Sequence, residues 1–167
     1  MDKITIKESV RNLVEFCLKK GDKTVLVGSS GSGKSTIVDL LIRLLVYNSG
    51  SIFWQETAYN YIDDKKLREN IKAALQDQYI FDMTIRENFK IVYQDITDDE
   101  IYAALKSAGL MDFVMQAPQK LDTCTGRDGR YLSGGQCRRL SIAMALARKA
   151  PLLIIDRSEE HTSELQS

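Results

Sequence analysis

The run Gly28-Ser29-Ser30-Gly31-Ser32-Gly33-Lys34-Ser35 constrains this chain more than any other part of it. It matches G-x-x-x-x-G-K-[ST] in full. Residues 24–27 before it read as a buried strand. Residues 34–46 after it carry Ile37, Leu40, Leu41, Leu44 and Leu45 at helical spacing. A glycine-rich turn from strand into helix lets backbone N–H groups converge on one anion without Cβ clashes. The helix adds the positive end of its dipole. Lys34 is expected to reach the outer phosphates of a nucleotide, and Ser35 to set its hydroxyl on Mg²⁺. Gly28, Ser29, Ser30, Gly31, Ser32, Gly33 and Thr36 complete the expected cradle. The motif specifies a nucleotide without saying which one.

The rest of the chain alternates strands and helices, which argues for an α/β fold with a parallel sheet. Lys3 to Lys7 alternates as a short edge strand, and residues 13–27 read as a hairpin around Lys20-Gly21-Asp22. Residues 51–54 and 71–75 read as strands, the second leading to Gln76. Residues 84–89 read as a short helix. Thr97-Asp98-Asp99-Glu100 is a capping box before a helix running to about Ser107, and residues 111–116 form another helical piece. Residues 119–131 are polar and loop-like. Residues 133–149 open with glycines and continue as a helix, and 152–155 read as an apolar strand.

Lys plus Arg and Asp plus Glu both number 23, so the net charge is zero. That balance offers no electrostatic case for nucleic acid or an acidic membrane as partner. Cys17, Cys124 and Cys137 are too few and too irregular for a disulfide framework or a metal site, and fit a reducing interior. Residues 1–6 carry no signal-peptide pattern. The most apolar stretch, residues 37–47, is short and interrupted by Asp39 and Arg43, so it does not span a bilayer. A membrane role is therefore expected to come through a partner.

Leu132-Ser133-Gly134-Gly135-Gln136 resembles the signature of ABC ATPases. Exporter-type cassettes are the most similar, through Leu75-Gln76-Asp77, Phe81-Asp82-Met83-Thr84-Ile85-Arg86-Glu87-Asn88 and Thr125-Gly126-Arg127-Asp128-Gly129. The resemblance spans residues 10–156. It implies a P-loop NTPase parallel sheet with an antiparallel N-terminal β part and a helical signature subdomain at about 77–140, incomplete at the C-terminus. Residues 1–156 would form this partial domain. The implied cofactors are ATP and Mg²⁺.

Leu152-Leu153-Ile154-Ile155-Asp156 resembles the Walker B strand, with Asp156 holding Mg²⁺ through water. Gln76 matches the glutamine that contacts Mg²⁺ and the attacking water. Lys34, Gln76 and Asp156 are thus the implied catalytic residues. Two cassettes would pack head to tail, with Ser133, Gly134, Gly135 and Gln136 capping the γ-phosphate on the partner's loop. The resemblance also implies a transmembrane domain, in the same or another chain, and a place on the cytoplasmic face of a membrane. Tyr79, Ile80, Phe81 and Met83 have two readings: a groove for that partner, or core packing.

The chain departs from the pattern in places. Arg157 stands where the family has a glutamate after the Walker B aspartate, and a cation is no general base. His161 is too close to Asp156 to be the family's γ-phosphate sensor. Residues 157–167 resemble a translated sequencing adapter and read as a non-native tail. No aromatic residue for adenine stacking precedes Phe16, and Cys124 replaces a usually acidic residue. The strand that follows Walker B in the family is missing, which predicts unpaired backbone in the sheet and a poorly stable fragment. The expected function is the ATP-binding cassette of an exporter, with weak ATP binding and almost no hydrolysis in this fragment. The alternatives are a non-transport ABC ATPase of DNA repair or chromosome organisation, or a regulatory ATP-binding pseudo-enzyme. The interval from Lys34 to Ser133 lacks the heptads that the DNA-associated proteins carry.

Overall fold

A computed structural model describes residues 3–7, 16–29, 31–75 and 79–156. Ser30, Gln76, the predicted hairpin's residues 13–15 and the tail from Arg157 lie outside the described residues. The described chain forms two compact units, one within residues 1–71 and 150–152, the other within 72–149 and 153–156.

The first unit holds a four-stranded antiparallel sheet of β1 (Lys3–Lys7), β2 (Phe16–Lys19), β3 (Ser51–Trp54) and β4 (Thr57–Ala58), in the order β2-β1-β3-β4. Lys3–Lys7 was expected at an edge. It instead has strands on both sides, with Ile4 opposite Leu18 and Trp54. Phe16–Lys19 therefore pairs with β1 and not with residues 24–27. That second half of the expected hairpin is corrected: residues 22–29 form no strand, and Val25 and Val27 are 81% and 88% exposed. Their β-branched pattern marks a segment suited to a buried strand, but a strand needs a ladder partner, and no described strand pairs with it.

The helix after the glycine-rich loop is also shorter than its apolar spacing predicts. It is α1 (Lys34–Leu41), and Arg43 stops it at φ 61°. The guanidinium of Arg43 explains the break. It donates to Ile62 O at 2.8 Å, to Tyr59 O and to Asp64, and lies 5.2 Å from the centre of the Tyr59 ring. These bonds outweigh the roughly 1–2 kcal/mol that a left-handed non-glycine backbone costs. Leu44, Leu45 and Val46 are left exposed beyond the break. Sequence periodicity also missed α2 (Asp64–Asn70), whose Asp63 cap accepts from Lys65 N and Lys66 N. That helix is so charged that only Leu67 of it is buried, so no apolar stripe announces it.

The second unit is mostly helical: α3 (Ile85–Val92), α4 (Asp98–Ser107), α5 (Met111–Gln116) and α6 (Gly134–Leu146). Ile85, Phe89, Ile101, Leu105, Leu110, Val114 and Leu140 from these helices and their junctions are fully buried against one another. Capping boxes start three of the helices, Thr84 with Glu87, Thr97 with Glu100 and Ser133 with Gln136. Each satisfies two of the first-turn N–H groups that a helix leaves open. The boxes define the starts of α3 and α6 one residue after Thr84 and Ser133. The expected loop at 119–131 contains two single 3₁₀ turns, Lys120–Asp122 and Arg127–Gly129.

β5 (Ile71–Ala74) and β6 (Leu152–Ile155) make a separate two-stranded sheet. Asp156 N–H donates to Ala74 O at 3.0 Å, which joins the carboxyl ends of the two strands, as in a parallel pair.

Candidate functional site

The glycine-rich loop keeps the geometry its residue types require. Gly31 and Gly33 stand at φ 78° and 88°, where a side chain is strained. A Cβ on Gly28 would come 2.7 Å from Ser32 Oγ and 3.3 Å from Ser32 Cβ, so a side chain there would force Ser32 to shift. Ser32 N–H donates to Ser29 O at 3.2 Å and closes the turn. Gly33 caps α1 through backbone alone, and its carbonyl accepts Ile37 N–H at 3.1 Å. The first turn of α1 has no acidic residue to neutralise its positive end. Lys34 folds over the loop and donates to Gly28 O and to Ser29 O, the latter at 2.9 Å. A turn with glycines at positive φ, a helix start and an ammonium on the same turn suit a polyphosphate. Ser35 follows at the second position of α1.

The second unit carries the other two motifs. Ser133 Oγ accepts from Gln136 N at 3.3 Å, and Gln136 Oε1 accepts from Ser133 N at 2.8 Å. Helix geometry leaves the amides of Gly134 and Gly135 without carbonyl partners inside α6. Among the described residues these two glycines answer to no crowding. A Cβ on Gly134 would meet nothing within 4 Å, and one on Gly135 only the end of Arg139 at 3.6 Å. Neither has a positive φ. Asp156 stands at the carboxyl end of β6, its amide held by Ala74 O. A carboxylate is an oxygen ligand of the kind that suits Mg²⁺, which takes few protein ligands beside phosphates and water. Among the described residues no three His, Cys, Asp or Glu side chains gather as a metal site.

The segment before the signature is held by side chains whose role the sequence does not reveal. Asn88, only 1% exposed, accepts from Phe81 N at 2.9 Å and donates to Phe81 O at 3.1 Å and Thr84 O at 3.0 Å. Thr125, fully buried, donates its hydroxyl toward Phe81 O at 2.7 Å and Met83 O at 3.0 Å. Its own N–H donates to Met83 O at 2.9 Å, and Ile85 N–H donates to Thr123 O at 3.0 Å. Residues 81–85 and 123–125 are thereby fastened together. Arg86 adds a bidentate pair with Asp122, at 2.9 and 3.2 Å, and a bond to Asp98. The hydrogen bonds from Arg86 keep the Asp122 carboxyl below its ordinary pKa.

These ties leave a row of side chains outside. The two readings of residues 79–83 divide residue by residue. Ile80 is core, whereas Tyr79, Phe81 and Met83 are exposed, with the first two rings edge to face at 5.0 Å. Ile91 and Val92 at the end of α3 are exposed as well, and with Met83, Tyr93 and Arg148 they line an open hollow. Lys72 Nζ lies 5.1 Å and Arg148 Cζ 5.3 Å from the centre of the Tyr93 ring, and its buried hydroxyl has no hydrogen-bond partner among the described residues. Burial pushes the Tyr93 phenol up. Ile91 and Val92 lie beyond the short helix expected at 84–89, which runs on to Val92.

A phosphate-type loop at a helix start and a second glycine-opened helix start define a nucleotide-binding protein of the P-loop class. The ABC transporter family matches residues 11–159, and the chain belongs to that family. It is 41% identical to an ATP-dependent lipid A-core flippase of Saccharophagus degradans, over 93% of this chain and 26% of that protein. It is 39% identical to ATP-binding cassette sub-family B member 5 of Homo sapiens, over 90% of this chain and 12% of that protein. Among solved structures, a bacterial Atm1-family ABC exporter with ATP bound is similar with a TM-score of 0.85 and 30% identity, over 93% of this chain and 29% of that one. The chain thus spans about a quarter or less of the length of these relatives. No helix among the described residues is long and apolar enough to cross a membrane.

Proposed function

We propose that this chain is the ATP-binding cassette of an exporter, working with a second cassette and a transmembrane domain on the cytoplasmic face of a membrane. The observation that carries the reading is the presence in one chain of two glycine-opened helix starts with no acid in either first turn. The loop amides and Lys34 bind the phosphates of ATP, and Ser35, Gln76 and Asp156 are the metal-side groups. Bound Mg²⁺ neutralises phosphate charge as it develops in phosphoryl transfer. Lys34 has its ammonium already held on the loop, so little ordering remains when it exchanges carbonyls for phosphate oxygens.

Gly134 and Gly135 support the head-to-tail pairing of cassettes. Among the described residues nothing crowds a Cβ at either glycine, and bare backbone at the helix start leaves room for a partner's γ-phosphate. Ser133 adds its hydroxyl at that end. The exposed Tyr79, Phe81, Met83, Ile91 and Val92 supply the docking face for the transmembrane partner. Residues 1–156 are the cassette portion, with 157–167 a non-native tail. Arg157 cannot polarise water as the family's glutamate does, so turnover by this chain is close to nil. The neutral balance of charge disfavours the DNA-associated alternative.

Titration with a fluorescent ATP analogue tests the reading. The parent chain should bind it weakly and with dependence on Mg²⁺, and Lys34→Ala should weaken binding at least tenfold, about 1.4 kcal/mol or more. No binding by the parent chain would end the nucleotide reading, and equal affinity of parent and variant would remove the role given to Lys34. Steady phosphate release that Lys34→Ala abolishes would overturn the claim about turnover.

A further inference from the structure

The signature helix does more than present its first turn. Arg138, half-buried on α6, donates through Nη2 to the backbone carbonyl of Asp156. The amide of the same residue is already spent on Ala74 O at 3.0 Å. Asp156 is therefore held on both sides of its Cα, by β5 through the N–H and by α6 through the C=O.

The rest of β6 gives little help in fixing that residue. Leu153 and Ile155 are exposed, and no residue from Leu152 to Ile155 is buried. A strand end so thinly covered keeps its backbone direction only through hydrogen bonds. The bond from Arg138 is charge-assisted, and such bonds are about twice as strong as neutral ones. Among the described residues its target is a backbone carbonyl and not a carboxylate, so it orients Asp156 without neutralising it.

We propose that Arg138 is a positioning residue for the metal-side carboxylate, fixing the backbone from which the Asp156 side chain departs. The idea rests on the reading of Asp156 given above. It assigns α6 two tasks, one at Ser133 toward a partner's nucleotide and one at Arg138 toward this chain's own metal-side residue.

Mn²⁺ serves as the probe, titrated by electron paramagnetic resonance against the full 167-residue chain with a non-hydrolysable ATP analogue present. Residues that orient metal ligands typically change metal affinity by about 10–100-fold. Arg138→Ala should weaken Mn²⁺ about tenfold, while binding of the analogue in chelator stays at the parent value. Arg138→Lys, which keeps a cationic donor, should recover much of the loss. Lys106→Ala, an exposed charge on α4, should do nothing. If Arg138→Ala does not fold, Arg138→Gln takes its place. Mn²⁺ affinity unchanged in the Arg138 variants, with Asp156→Asn weakening it, would overturn the role of Arg138 alone. Mn²⁺ affinity unchanged in Asp156→Asn would remove the reading of Asp156 and this proposal with it.

Discussion

Replacing Asn88 by alanine tests whether the segment before the docking face is held as described. Three hydrogen bonds disappear, but they do not count equally. Phe81 O keeps the Thr125 hydroxyl, and Thr84 O keeps the backbone N–H of residue 88. Only Phe81 N–H loses its acceptor outright. An orphaned, partly buried donor costs about 1–3 kcal/mol. The missing amide leaves a void of roughly one water's share of volume, ~30 Å³, which adds about 0.7 kcal/mol at ~24 cal/mol per Å³. The expected loss is about 2–4 kcal/mol, read by urea unfolding followed by far-UV circular dichroism. Hydrogen exchange at Phe81 should speed up more than exchange within α4.

Asn88→Asp sharpens the test. It keeps the acceptor for Phe81 N–H but turns a carboxylate oxygen toward Phe81 O and Thr84 O. Its loss at neutral pH should exceed that of alanine, and the gap from the parent should narrow on acidification, when a protonated carboxyl donates again. Alanine and aspartate variants both within about 0.5 kcal/mol of the parent, the range of ordinary surface changes, would refute this account of residues 81–85.

Gly129→Ala should destabilise by about 2–4 kcal/mol, since φ is 71° and the new Cβ would lie 2.7 Å from Cys137 Sγ. Adding Cys137→Ala should remove the steric share and leave the ~1–2 kcal/mol left-handed cost, and strictly additive losses in a double-mutant cycle would refute the contact. Hydrogen bonds from the backbone of Thr84 and of Thr97 hold Glu87 and Glu100 below the ordinary carboxylate pKa, and Arg86 does so for Asp122. A lowered folded-state pKa gives stability that is present above the unfolded value, about 4, and is lost as pH falls through the folded one. Unfolding free energy should be flat near neutrality and drop below about pH 4. Glu87→Gln and Glu100→Gln should flatten that drop, and an unchanged acid profile would show that the charges of the two boxes contribute nothing.

Much of this protein was legible wherever a local rule acts alone. The capping box at Thr97 fixes a helix start from side chains three residues apart, so the sequence announces it. The phosphate loop follows the same logic, because the demands on Gly31 and Gly33 are local backbone demands. What the sequence could not show depends on partners far along the chain. Arg43 ends α1 through carbonyls of Tyr59 and Ile62, and Phe16–Lys19 takes β1 as neighbour in place of residues 24–27. Tyr79, Phe81 and Met83 face outward while Ile80 faces in, on a segment whose Phe81 and Met83 carbonyls are pinned by Asn88 and Thr125. Local spacing sets which residues start a helix or wrap an anion. Only tertiary contact decides which carbonyl a distant arginine finds, and so whether an apolar side chain is core or an exposed face.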